Sequence, residues 1–242
     1  MTLVIAHRGS RAHAPENTLL AFQKAHEQGA DGIELDVHRT ADGTVVVYHD
    51  DRISDAAERT LPIRATKWEI LKKIVLPQNQ TIPTLREVFE QFGQKFSVIN
   101  VEIKSTGYFT NGIEKAVLDL VCRFHLEDRV IISSFNPLHL WRICRMNRRV
   151  RTGHLIWPPQ WFARRHFWTR LCHVYSVNLE HEWAANGHLE EFAKLEKKIW
   201  IWTVNKENEL RRWFTRGVDA IITDDPLRAL KIRKQISASL PL

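Results

Sequence analysis

Short apolar runs rich in β-branched residues alternate with longer stretches whose apolar positions recur at helical spacing, from one end of the chain to the other. The runs fall at residues 3–6, 32–37, 96–104, 130–135, 151–156, 175–179, 199–204 and 220–223. The helical stretches fall at 17–28, 84–92, 112–124, 137–147, 188–195, 207–216 and 226–236. Strand–helix alternation implies right-handed βαβ units and a parallel sheet. Eight such strands within 242 residues match the count and size of a (β/α)8 barrel, an α/β fold. A doubly wound open sheet shows the same alternation, since periodicity alone does not close a barrel.

One segment departs from the alternation. Residues 44–49 follow the second run after only Ala41-Asp42-Gly43, and Asp-Gly between β-rich runs signals a hairpin. An extra strand outside the eight is therefore predicted. The polar, helix-poor stretch from residue 50 to about 81 then reads as an insertion after the second strand. No internal repeat, low-complexity tract or Gly/Pro/Ser-rich linker divides the chain, so one domain over 1–242 is expected.

Alternation within two strands exposes the chemistry. Side chains at i and i+2 share a strand face. In the second run Ile33, Leu35 and Val37 fall on one face, and Glu34, Asp36 and His38 on the other. In the third, Ile99, Val101 and Ile103 oppose Asn100, Glu102 and Lys104. Strands of a wholly parallel sheet are normally apolar on both faces, and charges on a buried face are costly unless they bind something. Three carboxylates in one volume would raise one another's pKa, a penalty that a divalent cation removes. All-oxygen donors favour Mg2+ or Ca2+. The alternative from pattern alone is structural ion pairing of Glu102 with Lys104 and of Glu34 with a nearby arginine. His7 ends the first strand and His49 the extra one, at the strand ends where (β/α)8 enzymes place their sites. Such a pair can take and give protons near neutrality. Arg8 and Lys104 are suitable donors to phosphate oxygens.

Composition narrows the setting. No apolar run approaches the roughly 18 residues of a membrane span, and the N-terminal residues lack the pattern of a secretory leader. Three widely spaced cysteines suggest reduced thiols in the cytoplasm, not a disulfide framework. The net charge of +7 attracts anions without naming one. No nucleic-acid-binding signature accompanies it. Residues 157–170 interleave aromatics with arginines, which suits a membrane interface. The favoured interpretation is a barrel helix whose Phe162 and Trp168 face the core. Trp68, Trp141, Trp183, Trp200 and Trp213 are expected to be packing residues. Asp224 and Asp225 are placed to cap the last helix before Pro226.

Taken as an ordered set, the motifs resemble the glycerophosphodiester phosphodiesterase family. They are His7-Arg8-Gly9, Pro15-Glu16-Asn17-Thr18, Glu34-Leu35-Asp36-Val37, Val46-Val47-Tyr48-His49-Asp50 and Val101-Glu102-Ile103-Lys104. Ser134-Phe135, Trp202-Thr203-Val204-Asn205 and Thr223-Asp224-Asp225-Pro226 follow in the family's order. The resemblance spans essentially the whole chain. It implies a (β/α)8 barrel with a small insertion after the second strand, and one divalent cation, Mg2+ or Ca2+, held by Glu34, Asp36 and Glu102. His7 and His49 would form the acid–base pair, Arg8 and Lys104 would contact phosphate, Asn17 would support the site, and Trp202 would line the glycerol side. The implied reaction splits a small glycerophosphodiester into glycerol 3-phosphate and an alcohol, by water or through a cyclic phosphate. Two rivals remain on sequence grounds: a barrel that releases cyclic phosphates from phospholipids, and a basic barrel that only binds anionic lipid or nucleic acid. Choline, ethanolamine, inositol and lysolipid leaving groups fit the sequence equally, and it leaves the oligomeric state open.

Overall fold

The computed structural model describes residues 1–55, 57–104, 110–157 and 166–239. Its eight parallel strands are β1 (Leu3–His7), β2 (Gly32–Arg39), β3 (Val98–Ile103), β4 (Val130–Ser134), β5 (Arg151–Ile156), β6 (Ser176–Glu180), β7 (Lys198–Trp202) and β8 (Ala220–Thr223). Each pairs with its successor in the chain, and β8 pairs with β1 through Leu3↔Ala220 to Ala6↔Thr223. That last pairing closes the barrel and excludes the open sheet. Helices connect the strands on the outside, as right-handed crossovers require.

The two faces of the strands explain the layering. Ile33, Leu35 and Val37 of β2 point outward into a cluster with Phe22, Leu85, Val88, Phe89 and Phe92 of the covering helices. On the far side of the barrel, Val177, Leu179, Ile201 and Ile221 meet Leu210, Trp213 and Phe214 in a second cluster. Inside, Ile5, Val98, Ile131, Trp200, Ala220 and Ile222 form an apolar floor. The charged residues of β2 and β3 therefore lie inward and nearer the C-terminal strand ends. Trp200 fills the floor, as expected of a packing residue.

The predicted hairpin is present. Strand Val45–Val47 runs antiparallel to β2, with Val37 opposite Val47 and Arg39 opposite Val45. Its reversed direction returns the chain to the barrel mouth, where the Tyr48 amide donates to the Asp36 carbonyl at 3.0 Å. The following insertion carries more local structure than its polarity suggests. Two small hairpins, Arg52–Ser54 with Thr60–Pro62 and Val75–Leu76 with Gln80–Thr81, flank a short helix, Trp68–Leu71. Ile53, Ile63, Leu71, Ile74 and Ile82 pack against Val46 as a separate small core. Arg64 ties this unit to the barrel by donating to the Lys104 carbonyl at 2.6 Å.

One expectation needs correction. Trp141 is 39 % exposed: its helix, Pro137–Met146, buries His139, Leu140 and Ile143, and Trp141 lies off that face. There the Arg145 guanidinium sits 5.8 Å from the ring centroid. The helix expected at 188–195 is present in shorter form, Leu189–Ala193, and a wide turn at Ala184–His188, with Gly187 at φ 96°, leads into it. In the aromatic–arginine segment, His166–Leu171 is helical and Trp168 packs against the second cluster. Phe162, Arg164 and Arg165 lie outside the described residues. Among the described residues no helix is long and apolar enough to cross a membrane.

Candidate active site

Each strand delivers its side chains to the barrel mouth by simple alternation. Glu34 and Asp36 from β2, and Glu102 from β3, place carboxylate oxygens that all lie within 4.8 Å of one another. Registers Glu34↔Asn100 and Asp36↔Glu102 explain the convergence, since neighbouring inward positions on paired strands are adjacent. All three residues are buried, at 3 %, 1 % and 8 % exposure. Glu34 and Glu102 line a cleft of about 170 Å³ together with His7, Arg8, His49, Lys104, Phe135 and Trp202. A wider groove of about 750 Å³ opens around Arg151, Tyr175 and Lys198, at the opposite ends of β5, β6 and β7. None of the expected site residues lines that groove.

The two cations divide their contacts among the carboxylates. Arg8 Nε lies 3.2 Å from Asp36 Oδ2, and its Nη1 donates to Glu16 Oε1 at 2.9 Å. The Arg8 amide donates to Glu34 Oε2 at 3.0 Å. Lys104 Nζ stands 3.0 Å from Glu102 and 3.4 Å from Asp36. Asn17 completes the cradle of Asp36, with Nδ2 donating to its carboxylate at 2.9 Å and Oδ1 accepting from its amide at 3.3 Å. Arg8 and Asn17 both adopt positive φ, 54° and 55°, a conformation costly for side-chain-bearing residues. The Asn17 amide donates to the Arg8 carbonyl at 2.9 Å, which links the two strained residues. Between them Gly9 (φ 83°) passes so close to Ala21 that a Cβ would lie 2.6 Å from its side chain, so only glycine fits.

The electrostatics follow from two cations facing three buried carboxylates. Burial, then Asp36 and Glu102, push the Glu34 carboxyl well above its ordinary pKa. Burial and Asp36 raise Glu102 to about 7, against the pull of Lys104. Burial also works against Asp36, but Lys104, Arg8 and His49 hold it below its ordinary value. Fully ionised, the cluster would carry more negative charge than Arg8 and Lys104 balance, and the raised Glu34 and Glu102 carboxyls relieve that excess by binding protons more readily than free carboxyls do. Its all-oxygen donors and spacing fit a hard divalent cation.

The histidines are anchored alike. His7 Nδ1 lies 2.6 Å from Asp224 Oδ1, and His49 Nδ1 2.7 Å from Asp50 Oδ1. Opposite an ionised carboxylate, which only accepts, Nδ1 is the donor. His7 Nε2 is 3.9 Å from Glu34 Oε2, which directs it at the carboxylate cluster. Burial works against the Asp224 carboxylate, but His7 and Asn205 hold its pKa below the ordinary value. Asn205 Nδ2 donates to Asp224 Oδ2 at 2.7 Å, and Asn205 Oδ1 accepts from the Asp224 amide at 3.0 Å.

All nine residues expected at the site converge here, seven lining the cleft and Asp36 and Asn17 directly behind it. Asp224 does not cap the last helix as expected; only Asp225 does, accepting from the Arg228 amide at 3.0 Å. The signal for Asp224 was its place at a C-terminal strand end, the same place as His7. His38 was grouped with the inward carboxylates, yet it is fully buried beside the insertion, with Nε2 3.2 Å from the His49 carbonyl. Burial, opposed mainly by that carbonyl, lowers its pKa to about 4, so it supports the His49 backbone as a neutral ring. Trp202 lies edge-on to Phe135, ring centroids 5.6 Å apart, with Nε1 donating to the Asn178 carbonyl at 3.0 Å.

Known proteins match this chain over nearly its whole length. Residues 7–228 match the model of the glycerophosphoryl diester phosphodiesterase family. A glycerophosphodiester phosphodiesterase of Caldanaerobacter subterraneus subsp. tengcongensis is 37 % identical over 235 residues, covering 93 % of this chain and 95 % of its own. The crystal structure of a glycerophosphodiester phosphodiesterase from Thermotoga maritima superposes with a TM-score of 0.76 at 30 % identity, covering 96 % of this chain and 99 % of its own. An Oleispira antarctica phosphodiesterase, solved with the product sn-glycerol-3-phosphate, gives 0.79 at 25 % identity and covers 97 % of both chains. With the family model spanning nearly the full length, the chain belongs to the glycerophosphoryl diester phosphodiesterase family.

Proposed function

We propose that this protein hydrolyses glycerophosphodiesters to glycerol 3-phosphate and an alcohol, as a cytoplasmic enzyme of phospholipid and glycerol turnover. The observation that carries this is the meeting of three buried carboxylates, two carboxylate-anchored histidines and two cations in one cleft of a family member. Glu34, Asp36 and Glu102 would hold one divalent cation, Mg2+ or Ca2+, which supplies Lewis-acid neutralisation of phosphoryl charge. The Arg8 guanidinium and Lys104 ammonium orient the phosphate and offset the charge that grows on its oxygens in the transition state. Nε2 of one histidine takes a proton from the attacking oxygen, and Nε2 of the other returns one to the leaving alcohol. Asp224 and Asp50 accept from the Nδ1 protons, so that the base presents an unprotonated Nε2 and the acid, entering as an imidazolium, gives up its Nε2 proton. Asn17 fixes Asp36, and Trp202 with Phe135 walls the cleft on its apolar side and limits water.

A substrate panel of glycerophosphodiesters differing in the alcohol, assayed with each cation, tests the proposal by release of glycerol 3-phosphate. Metal-stimulated release supports it. Turnover only of phospholipids, with a cyclic phosphate as product, would replace it with the transphosphorylating alternative.

A further inference from the structure

Asn100 has no part in the chemistry above, yet it faces the same cleft. It lies on β3 two residues before Glu102, hence on the same inward face and one step deeper in the barrel. Its register partner across β2 is Glu34. The side chain is buried, at 1 % exposure, and neither Nδ2 nor Oδ1 has a hydrogen-bond partner among the described residues. Buried amides without partners are disfavoured, and an aliphatic side chain would fill the same space at no such cost. The positions around it in the floor, Val98 and Ile131, are aliphatic. A side chain retained against that cost and aimed into a binding cleft is positioned for a ligand.

The chemistry of the amide selects the ligand. A carboxylate only accepts and an ammonium only donates, whereas an amide does both from adjacent atoms. Its natural complement is a pair of hydroxyls, one donating to Oδ1 and one accepting from Nδ2. The apolar lining of the cleft is Phe135, Leu155, Trp202 and Ile222. One wall therefore suits hydroxyls and the others suit carbon, as a short polyol chain requires.

We propose that Asn100 is a specificity-determining residue that recognises the glycerol hydroxyls of the substrate. This rests on the function proposed above for the identity of that substrate. A phosphoester lacking the hydroxyls would leave the amide unsatisfied in the complex, and sites built around a hydroxyl discriminate strongly for that reason.

The test compares binding of sn-glycerol 3-phosphate with that of propyl phosphate, which has the same phosphate and chain length but no free hydroxyl. Calorimetry with the cation present is run on the parent protein and on Asn100→Leu. The parent is expected to prefer glycerol 3-phosphate by about tenfold or more. Asn100→Leu is expected to erase that preference, weakening glycerol 3-phosphate while leaving propyl phosphate within about twofold. Its Tm should not fall, because the substitution removes two unpartnered polar atoms; a purely structural asparagine would lower it. Asn100→Ser, which offers one hydroxyl in place of the amide, should fall between the two and serves if the leucine form does not fold. Equal loss for both ligands, or an unchanged preference, would overturn the role of Asn100 while turnover by the parent leaves the activity standing. A parent that binds neither ester and turns over no glycerophosphodiester removes the activity, and with it the ligand assigned to Asn100.

Discussion

Two buried acidic sites in this protein have opposite characters. Glu114, 1 % exposed on the helix Ile113–Arg123, accepts from His139 at 2.8 Å, from Arg142 at 3.0 Å and from the Thr110 hydroxyl. Burial works against its charge, but His139 and Thr110 outweigh it and hold the carboxyl at about 2. Glu34 and Glu102 are also buried, yet burial and mutual repulsion drive them upward, Glu102 to about 7. The first site is a satisfied charge that joins two outer helices. The second is a frustrated cluster at the mouth of a cleft. A buried carboxylate whose partners are complete belongs to the scaffold, and one whose partners are incomplete is waiting for a ligand.

The largest expected effect separates chemistry from scaffold. His7→Ala and His49→Ala should each lower turnover by about 10²- to 10⁴-fold, with melting curves like those of the parent. Near-normal turnover by purified His49→Ala would break the acid–base assignment. Next comes the scaffold carboxylate: Glu114→Ala should cost about 3–5 kcal/mol of folding free energy, because His139 and Arg142 lose a buried counter-charge. Activity per folded molecule should be retained, as checked by urea unfolding alongside active-site titration. Loss of activity without loss of stability would contradict the division between the two sites. Asp224→Asn should cost about 10- to 100-fold in kcat with little change in stability, since it disturbs the hold on His7 and not the fold. A Tm drop without a kcat effect would return Asp224 to helix capping.

The smallest effect concerns a third kind of buried group. His154, fully buried, has Nδ1 3.2 Å from Thr169 Oγ1, and burial lowers its pKa to about 4. Unfolded, it titrates near 6.5, so between about 6.5 and 4 the unfolded chain binds a proton that the folded chain refuses. Stability should therefore fall as pH drops through that window, by up to about 2 kcal/mol at pH 5 from this residue. Glu114 contributes its loss lower, as pH falls from about 4.5 toward 2. Melting His154→Leu at pH 7 and pH 5 should show a shallower pH dependence than the parent. Parallel curves would show that His154 is not the group responsible.

Much of this division is legible in the sequence. Strand alternation placed Glu34 and Asp36, and Glu102 and Lys104, on inward faces, because a period of two is a property of the backbone. The family resemblance added Asn17, which no periodicity marks, and the glycerol-side role of Trp202. Closure of the barrel was not legible, since it depends on the pairing of β8 with β1, between residues more than 200 positions apart. Asp224 resembled a helix cap because a carboxylate before Pro226 satisfies local rules, and its contact with His7 is long-range. Trp141 was misplaced by residue type when helix phase was the deciding quantity. His38 shows the limit of alternation at a strand end, where the inserted unit covers the face that would otherwise open to the cleft.

The central claim is that the frustrated carboxylates form a divalent-cation site, and calorimetric titration of Mg2+ and Ca2+ into the metal-stripped protein tests it most directly. The account predicts saturable binding of about one ion per chain, weakened about 10²-fold or more in Glu102→Gln and unchanged in Glu114→Gln. Equal affinity in the parent and Glu102→Gln, or no binding to the parent, would contradict it.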